Sequence, residues 1–454
     1  MARHPSKAVY LVSLGCPKNR IDSEAILGQL AKDGWRTTGD LAKADLAIVN
    51  TCGFLASAAA EARAEIAALA RQKSQLGFSL AVVGCLVQRT GRSLADDIPA
   101  IDALAGIHSY KNIVNIITSG RCAVSPRPRR YPGAFYAGRQ LTTGPGWAYL
   151  RIADGCDNRC AYCLIPSIRG PYRSRPMADI VAEARGLAAR GVKELNLVAQ
   201  DTTNYGIDQY GKRSLGRLLK RLDKVEELEW IRLLYTHPAH WDDGLIDDMA
   251  GCRKVARYVD LPLQHASDRI LRDMGRRIGR RDVARLIKNI RINLEGVVLR
   301  TTFMVGFPGE TEREFNELVD FAKDQRFDRM GCFTYSPEPG TAAAKLPGQV
   351  NEAIKQERYD RLMAMQQGIS MELNRKRLGS AETVLVEGGA DREAGAPHRK
   401  GYCYFGRSIA EAPEIDGKVY LRSDTELEPG RLARVKVDRA WPYDIGGESL
   451  GHAM

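Results

Sequence analysis

With 454 residues, 44% of them hydrophobic and 27% charged, the chain has the composition of a globular protein of several domains. No apolar run of about eighteen residues is present, and Met1-Ala2-Arg3-His4-Pro5 leads straight into a strand-like stretch, so neither a membrane span nor a signal peptide is expected and the chain reads as cytoplasmic. The net charge of +12 is uneven, because residues 121–175 hold ten Arg, no Lys and two Asp, which suits nucleic acid, an anionic cofactor or simply a solvated linker.

The first 120 residues alternate strand and helix. Strand-like runs lie at 8–12, 46–49 and 80–83, with a helical pattern over 21–32, an alanine-rich helix from a Ser57 cap towards Arg71, and a fourth βα unit over 101–117. The alternation predicts an open α/β domain with a mainly parallel sheet over residues 1–124. Three cysteines occupy equivalent places in it, each just past a predicted strand: Cys16 in Leu14-Gly15-Cys16-Pro17-Lys18-Asn19, Cys52 in Asn50-Thr51-Cys52-Gly53, and Cys85 in Val83-Gly84-Cys85-Leu86. Loops at the carboxyl ends of neighbouring parallel strands converge on one crevice. The flanking glycines let the backbone approach a bulky ligand, and the following helix N-termini favour thiolate charge. Three thiolates suit a 4Fe-4S cluster with one open iron, and three ordinary buried cysteines are the alternative.

A Pro/Gly/Arg-rich stretch over 125–146, with Pro126, Pro128, Pro132, Gly133, Gly144, Pro145 and Gly146, reads as a linker. A second βα series follows, with strands expected at 148–152, 194–199, 230–235, 258–263, 297–305 and 331–335. Helical patterns at 180–189, 215–222, 242–249, 268–274, 283–294 and 312–323 lie between or after them. Six units over 147–375 predict an open, partial (βα)6 barrel whose chemistry sits at the carboxyl ends of the strands. A long helix is expected over 352–377, and short strands at 383–386, 402–405, 418–421 and 434–437 predict a small all-β barrel of the oligonucleotide-binding style over 376–444.

The first barrel strand runs into Asp154-Gly155-Cys156-Asp157-Asn158-Arg159-Cys160-Ala161-Tyr162-Cys163. This C-x3-C-x2-C loop presents Cys156, Cys160 and Cys163 to a common point, and neither flank holds a Cys or His to close a zinc tetrahedron. A 4Fe-4S cluster accepts three cysteines and leaves an iron open; an incomplete zinc knuckle or buried thiols is the alternative. Cys122, Cys252, Cys332 and Cys403 share no pattern and read as packing residues.

The loop resembles the signature of the radical SAM enzymes, which use such a cluster to cleave S-adenosylmethionine (SAM). Over nearly its whole length the chain resembles the methylthiotransferase family within them, with an N-terminal three-cysteine domain, a radical SAM barrel and a C-terminal TRAM barrel. Matching stretches lie at 13–19, 49–54, 155–163, 166–170, 197–202 and 305–311. Leu261-Pro262-Leu263-Gln264-His265-Ala266-Ser267 and Ala412-Pro413-Glu414-Ile415-Asp416-Gly417 resemble the subgroup that methylthiolates the β-carbon of an aspartate in the twelfth small-subunit ribosomal protein. The subgroup acting on a tRNA adenosine typically has small residues where His265 stands. The C-terminal barrel sums to zero charge, with Glu411, Glu414 and Asp416 clustered, which suits a basic ribosomal protein better than RNA.

The resemblance implies two 4Fe-4S clusters and SAM as cofactors, one cluster on Cys156, Cys160 and Cys163 and the other on Cys16, Cys52 and Cys85. It implies two uses of SAM: one methylates a sulfur at the N-terminal cluster, and the other, cleaved reductively, yields the radical that activates the substrate carbon. It further implies the ribosomal protein as substrate, a reductant such as flavodoxin or ferredoxin, and no membrane partner. Gln200 and Asp201, ending the second barrel strand, are candidates for contact with SAM or substrate. His265, ending the fourth, is a candidate substrate contact or a structural histidine. Arg169 and Arg173 are candidates for a carboxylate of SAM or of a substrate aspartate, or for solvation of the loop. The glycine-rich run 305–311 would form a wall for the adenosyl group. The rival readings are a tRNA methylthiotransferase, a non-enzymatic iron–sulfur carrier, and an RNA-binding protein with a structural cluster.

Overall fold

The structure is a computed structural model that describes residues 7–126, 131, 133–390 and 401–452. The expectations attached to Met1, Ala2, Arg3, His4 and Pro5, and to Pro128 and Pro132 in the linker, lie outside the described residues. Two units are compact within themselves: Met1–Thr142 with Arg151–Asp179 and Ser336–Ala344, and Thr143–Leu150 with Ile180–Tyr335 and Lys345–Met454.

The first unit is built on a six-stranded parallel sheet. Its strands lie in the order Arg36–Thr37, Ala8–Ser13, Leu46–Thr51, Ser79–Gly84, Ala103–Gly106 and Cys122–Ala123. Parallel strands covered on both faces read as continuous apolar runs, and Leu46–Thr51 is accordingly buried at every position. Val49, Ile66, Leu69 and Val82 share its core. The two edge strands, with two residues each, are too short to leave a pattern in the sequence.

Two helix starts differ from expectation for physical reasons. The first helix begins at Pro17, not at 21, because Cys16 is its N-cap and proline suits the first helical position. The alanine-rich helix spans Ala56–Leu76 with Leu55 as N-cap, so Ser57 lies inside it and is not the cap. The open N–H at Ala56 is met instead by Glu338 Oε1 at 2.8 Å, a partner far away in sequence.

The second unit carries a six-stranded parallel sheet that does not close on itself. Its strands follow chain order across the sheet: Trp147–Arg151, Glu194–Val198, Trp230–Leu233, Val255–Gln264, Val298–Val305 and Arg329–Thr334. Helices Met177–Ala188, Leu215–Leu222, Asp243–Gly251, Asp268–Asp273, Arg280–Asn293 and Glu312–Gln325 match the expected positions within a few residues. The last of them starts with a full capping box between Thr311 and Glu314.

Helix Glu352–Arg375 buries Leu362, Gln366 and Ile369 along one side and leads into a closed five-stranded barrel. The barrel strands are Ala381–Gly389, Tyr404–Ser408, Val419–Arg422, Leu432–Ala440 and Ile445–His452, around Val384, Val386, Leu421, Val435 and Ile445. The fifth strand, beyond residue 444, is a correction to the four expected. It was hidden by Gly446 and Gly447, which a strand pattern disfavours. A Cβ on Gly446 would stand 2.6 Å from Tyr402 Oη, and one on Gly447 would stand 2.3 Å from the Lys436 backbone oxygen. Of the four cysteines read as packing residues, Cys252 is buried and Cys332 half-buried, but Cys122 and Cys403 are exposed. Among the described residues, no helix is long and apolar enough to cross a membrane.

Candidate active site

Three adjacent strands of the first unit deliver Cys16, Cys52 and Cys85 to one crevice. Gly15, at φ 89°, makes this close approach possible: a Cβ there would stand 2.7 Å from Cys52 Cβ. The glycine thus lets one cysteine turn close on the next, where a bulky ligand was expected to need the space. Asn19 locks the turns, its Nδ2 donating to Leu14 O at 3.2 Å and to Thr51 O at 2.9 Å. The Asn50 amide in turn donates to Asn19 O at 2.8 Å.

The thiols differ in character. Burial pushes Cys16 up, but Lys18, Arg169 and the backbone N–H groups of Asn19 and Lys18 outweigh it and hold the thiol below its ordinary range. Burial raises Cys52, and it pushes Cys85 up to about 12 against the pull of Arg169. In the protein without a cluster, the crevice therefore favours a thiolate at Cys16 first.

The second set sits on a short ribbon in the same unit. Ala153–Asp154 pairs antiparallel with Arg173–Ser174, and the loop between them carries Cys156, Cys160 and Cys163. The Cys156 N–H donates to Gly170 O at 3.1 Å, which ties the loop across its neck. Cys156 Sγ accepts from the Asn158 N–H and Cys163 Sγ from the Ile165 N–H, each at 3.4 Å. Such donors stabilise sulfur that carries negative charge.

Arg169 joins the two sets. Its guanidinium, buried in the first unit, donates to Asp154 Oδ1 at 3.0 Å, Asn19 Oδ1 at 2.9 Å, Asp22 Oδ2 at 3.3 Å and Cys85 Sγ at 3.3 Å. Arg173 reaches Asp154 Oδ2 at 3.5 Å and Arg169 O at 3.2 Å, and Arg151 pairs with Asp22 at 2.8 Å. Burial raises the Asp154 carboxyl, but Arg169, Arg151 and Arg173 overcome it and keep the group ionised far below its usual range. Arg139, Arg151, Arg169, Arg173 and Arg175 are all buried, so much of the basic excess around the loop is interior, neither a nucleic-acid surface nor solvated linker. Arg169 and Arg173, read as candidates for a SAM or substrate carboxylate, are engaged with Asp154 of their own unit.

A third segment of the first unit reaches both loops. Glu338 holds the helix start at Ala56, Arg89 donates to Gly53 O at 3.0 Å beside Cys52, and the Ala343 N–H donates to Ala161 O at 2.8 Å between Cys160 and Cys163. Among the described residues, no three His, Cys, Asp or Glu side chains converge on a point fit for one metal ion. A single tetrahedral ion needs sulfurs within about 4 Å of one another. A cubane takes each thiolate at a different iron, so more widely set cysteines with cationic and N–H donors around them fit it.

The other candidates lie in the second unit. Gln200 is half-buried beyond the end of Glu194–Val198. Asp201 is buried, accepts from the Thr203 hydroxyl at 2.7 Å, and pairs with His240 Nδ1 at 2.7 Å. His240 stacks on His237 with ring centroids 4.6 Å apart, and burial together with Arg276 holds His237 down at about 2, hence neutral. This pair was missed by sequence reasoning, although His237-Pro238-Ala239-His240 follows the third barrel strand.

His265 is buried and closed in. Its Nδ1 accepts from the Ser267 N–H at 2.9 Å, which puts the proton of the neutral ring on Nε2, 3.4 Å from Glu310 Oε2. The ring is thus held by groups of its own unit and is 1% exposed. In the run 305–311, the Gly306 and Phe307 N–H groups are taken by Glu310 Oε2, and Arg358 binds Glu310 Oε1 at 2.8 Å.

Burial divides the acidic patch expected on the C-terminal barrel: Glu414 is exposed, but Glu411 and the Asp416 carboxylate are not. Glu411 is interior and accepts from Arg329 at 2.7 Å and Arg377 at 2.6 Å. Asp416 accepts from Tyr258 Oη at 2.6 Å and the Ala412 N–H at 2.8 Å, and Glu414 from Tyr149 Oη at 3.1 Å. These contacts hold the barrel to its own unit.

Comparison with known proteins agrees with this geometry. The chain matches the uncharacterized protein family UPF0004 over residues 8–106, the radical SAM superfamily over 150–322 and the TRAM domain over 378–450. It is 48% identical over 447 residues to the ribosomal protein uS12 methylthiotransferase RimO of Pelotomaculum thermopropionicum, covering 97% of this chain and 99% of that one. The protein of the same name from Desulforamulus reducens is 45% identical, with the same coverage. Among solved structures, the radical S-adenosylmethionine methyltransferase TsrM of Kitasatospora setae, with cobalamin and a [4Fe-4S] cluster bound, shares the fold at a TM-score of 0.56. That likeness has 15% identity and covers 86% of this chain and 82% of that one. With matches of this identity along nearly its full length, the chain belongs to the ribosomal protein uS12 methylthiotransferase family of radical SAM enzymes.

Proposed function

We propose that this chain adds a methylthio group to the β-carbon of an aspartate in ribosomal protein uS12, acting in the cytoplasm with two 4Fe-4S clusters and an electron donor of the flavodoxin or ferredoxin type. The observation that carries the reading is the presence of two three-cysteine sets in one compact unit, joined through Arg169, in a chain 48% identical to a uS12 methylthiotransferase. Cys156, Cys160 and Cys163 would hold one cluster, and Cys16, Cys52 and Cys85 the other. When bound, the clusters and SAM supply the one-electron chemistry and the transferable sulfur that the protein lacks.

The chain's own residues then bind and orient. Asn19 and the Asn50 amide fix the three N-terminal turns, so the crevice keeps its shape before anything is loaded. The ribbon 153–154 with 173–174 and the Gly170 carbonyl fix the second loop. Lys18 and Arg169 supply the positive charge that lets cysteines ionise in a buried place.

An anaerobic assay tests the substrate. The reconstituted protein, given SAM, reductant and sulfide, is offered uS12 and unmodified tRNA together, and both are weighed by mass spectrometry. A methylthio gain on an aspartate of uS12 is the expected result; the same gain on a tRNA adenosine with uS12 untouched would overturn the substrate. Cys16→Ala, Cys52→Ala or Cys85→Ala should abolish transfer while SAM is still cleaved. Transfer at the wild-type rate in any of the three removes the second cluster from the scheme.

A further inference from the structure

The cysteine crevice contains two polar groups whose placement the folding of the chain alone does not explain. Arg169 sends one of its N–H arms to Cys85 Sγ, in addition to the carboxylates of Asp154 and Asp22 that already balance it. Tyr110 is buried against Phe135, with ring centroids 5.4 Å apart, and among the described residues its hydroxyl has no hydrogen-bond partner. The turn that carries it, Ile107–Asn112, packs against helix Cys85–Thr90, where the His108 N–H donates to Gln88 Oε1 at 3.4 Å. A buried hydroxyl without a partner is destabilising, and a donor so placed near the Cys85 helix is free for an acceptor that arrives later.

Resting on the reading that Cys16, Cys52 and Cys85 hold a cluster, we propose that Arg169 and Tyr110 are positioning residues that donate to that cluster's sulfur atoms and set its reduction potential. Hydrogen bonds to cluster sulfurs and nearby positive charge stabilise the reduced form, which carries one more electron. Arg169 supplies both. Tyr110 supplies a neutral donor and gains the partner it otherwise lacks. Because Arg169 is also tied to Asp154 at the neck of the other cysteine loop, its arm is held in one orientation from both sides. The arrangement makes the N-terminal cluster easier to reduce than its cysteines alone would.

The test uses the full chain carrying Cys156→Ala, Cys160→Ala and Cys163→Ala, so that only the N-terminal cluster contributes signal. Iron and sulfide are counted after anaerobic reconstitution, and the midpoint potential is read by titration with dithionite followed by electron paramagnetic resonance. If this background binds no iron, the two-cluster reading fails and takes the inference with it. With iron bound, Arg169→Gln should move the midpoint to a more negative potential and change the resonance of the reduced cluster. Arg169→Lys, which keeps the charge but not the planar fork, should recover part of the shift. Tyr110→Phe should move the midpoint the same way by less. Loss of iron from Arg169→Gln with retention in Arg169→Lys also supports the proposal. An unmoved midpoint in a fully loaded Arg169→Gln overturns it, as does loss of iron from both Arg169 variants with Tyr110→Phe unshifted.

Discussion

Two buried charge networks, one in each unit, are assembled from the same residue types to different ends. In the second unit Arg232, Arg329, Arg377 and Arg407 meet Glu194, Glu382, Glu387 and Glu411, charge against charge, with contacts between 2.6 and 2.8 Å. The result pins the C-terminal barrel within its own unit. In the first unit the described ion pairs of Arg151, Arg169 and Arg173 share two carboxylates, Asp22 and Asp154, and one of the further acceptors is a cysteine sulfur. A network that closes on carboxylates holds structure; one that also reaches a thiol puts a cation next to whatever that thiol binds.

The comparison is open to direct attack. Asp22→Ala removes the ion pair of Arg151, leaves Arg169 paired with Asp154 alone, and should cost roughly 3–5 kcal/mol. The penalty should be smaller in reconstituted protein than in apo protein, because a bound anionic cluster gives those cations a partner and adds its own stabilisation. Denaturation midpoints of the two forms decide this, and an equal penalty in both would break the contrast. Glu411→Ala should cost about 3 kcal/mol, since Arg377 keeps Glu382 while Arg329 is left with neutral partners. That cost should be the same with or without the cluster. A difference between the two forms would mean that the barrel network also answers to the cofactor.

Smaller effects supply the baseline. Thr311→Ala removes the capping-box hydroxyl from helix Glu312–Gln325 and should cost about 1 kcal/mol, with no dependence on loading. Glu314 in the same box gives a pH signature. Burial alone would raise its carboxyl, but hydrogen bonds from Arg269 and Thr311 hold it down at about 2. A carboxylate depressed in the folded state stabilises above its ordinary value near about 4.3 and loses that contribution as pH falls towards the folded value. Glu314→Gln should therefore flatten the loss of stability between those two limits, as read from unfolding midpoints across an acid series.

Periodicity and spacing made both sheets and both cysteine sets legible, because each rests on local pattern. Cys156, Cys160 and Cys163 are neighbours in one loop, and Cys16, Cys52 and Cys85 share a place relative to their strands. What could not be read were partnerships across long separations. Arg169 sits near Cys163 in sequence, and only folding shows that it touches Cys85 and Asn19. Asn19 and Asp22 lie one helical turn apart on Pro17–Lys32, a spacing that puts both on one face, but nothing local marks which face the crevice takes. Charge misled for a related reason. The arginines near the loop and the acids Glu411 and Asp416 looked like surfaces, and most of them are interior pairs. Sequence counts charges; burial decides which of them a partner meets. The fifth barrel strand was lost to its glycines, which serve close packing against Tyr402 at the expense of strand propensity.

The contact from Glu338 to Ala56 also sets an order of events. It joins residues 282 positions apart, and it supplies the N-terminal cap of the helix that follows Cys52. During synthesis the N-terminal sheet emerges first, with its three cysteines, but without that cap, without Arg169 and without the backbone at Pro339 and Ala343. The crevice is finished only when three-quarters of the chain has been made. Completion of the N-terminal crevice is therefore a late event in the life of the polypeptide, although its cysteines are among the first residues produced.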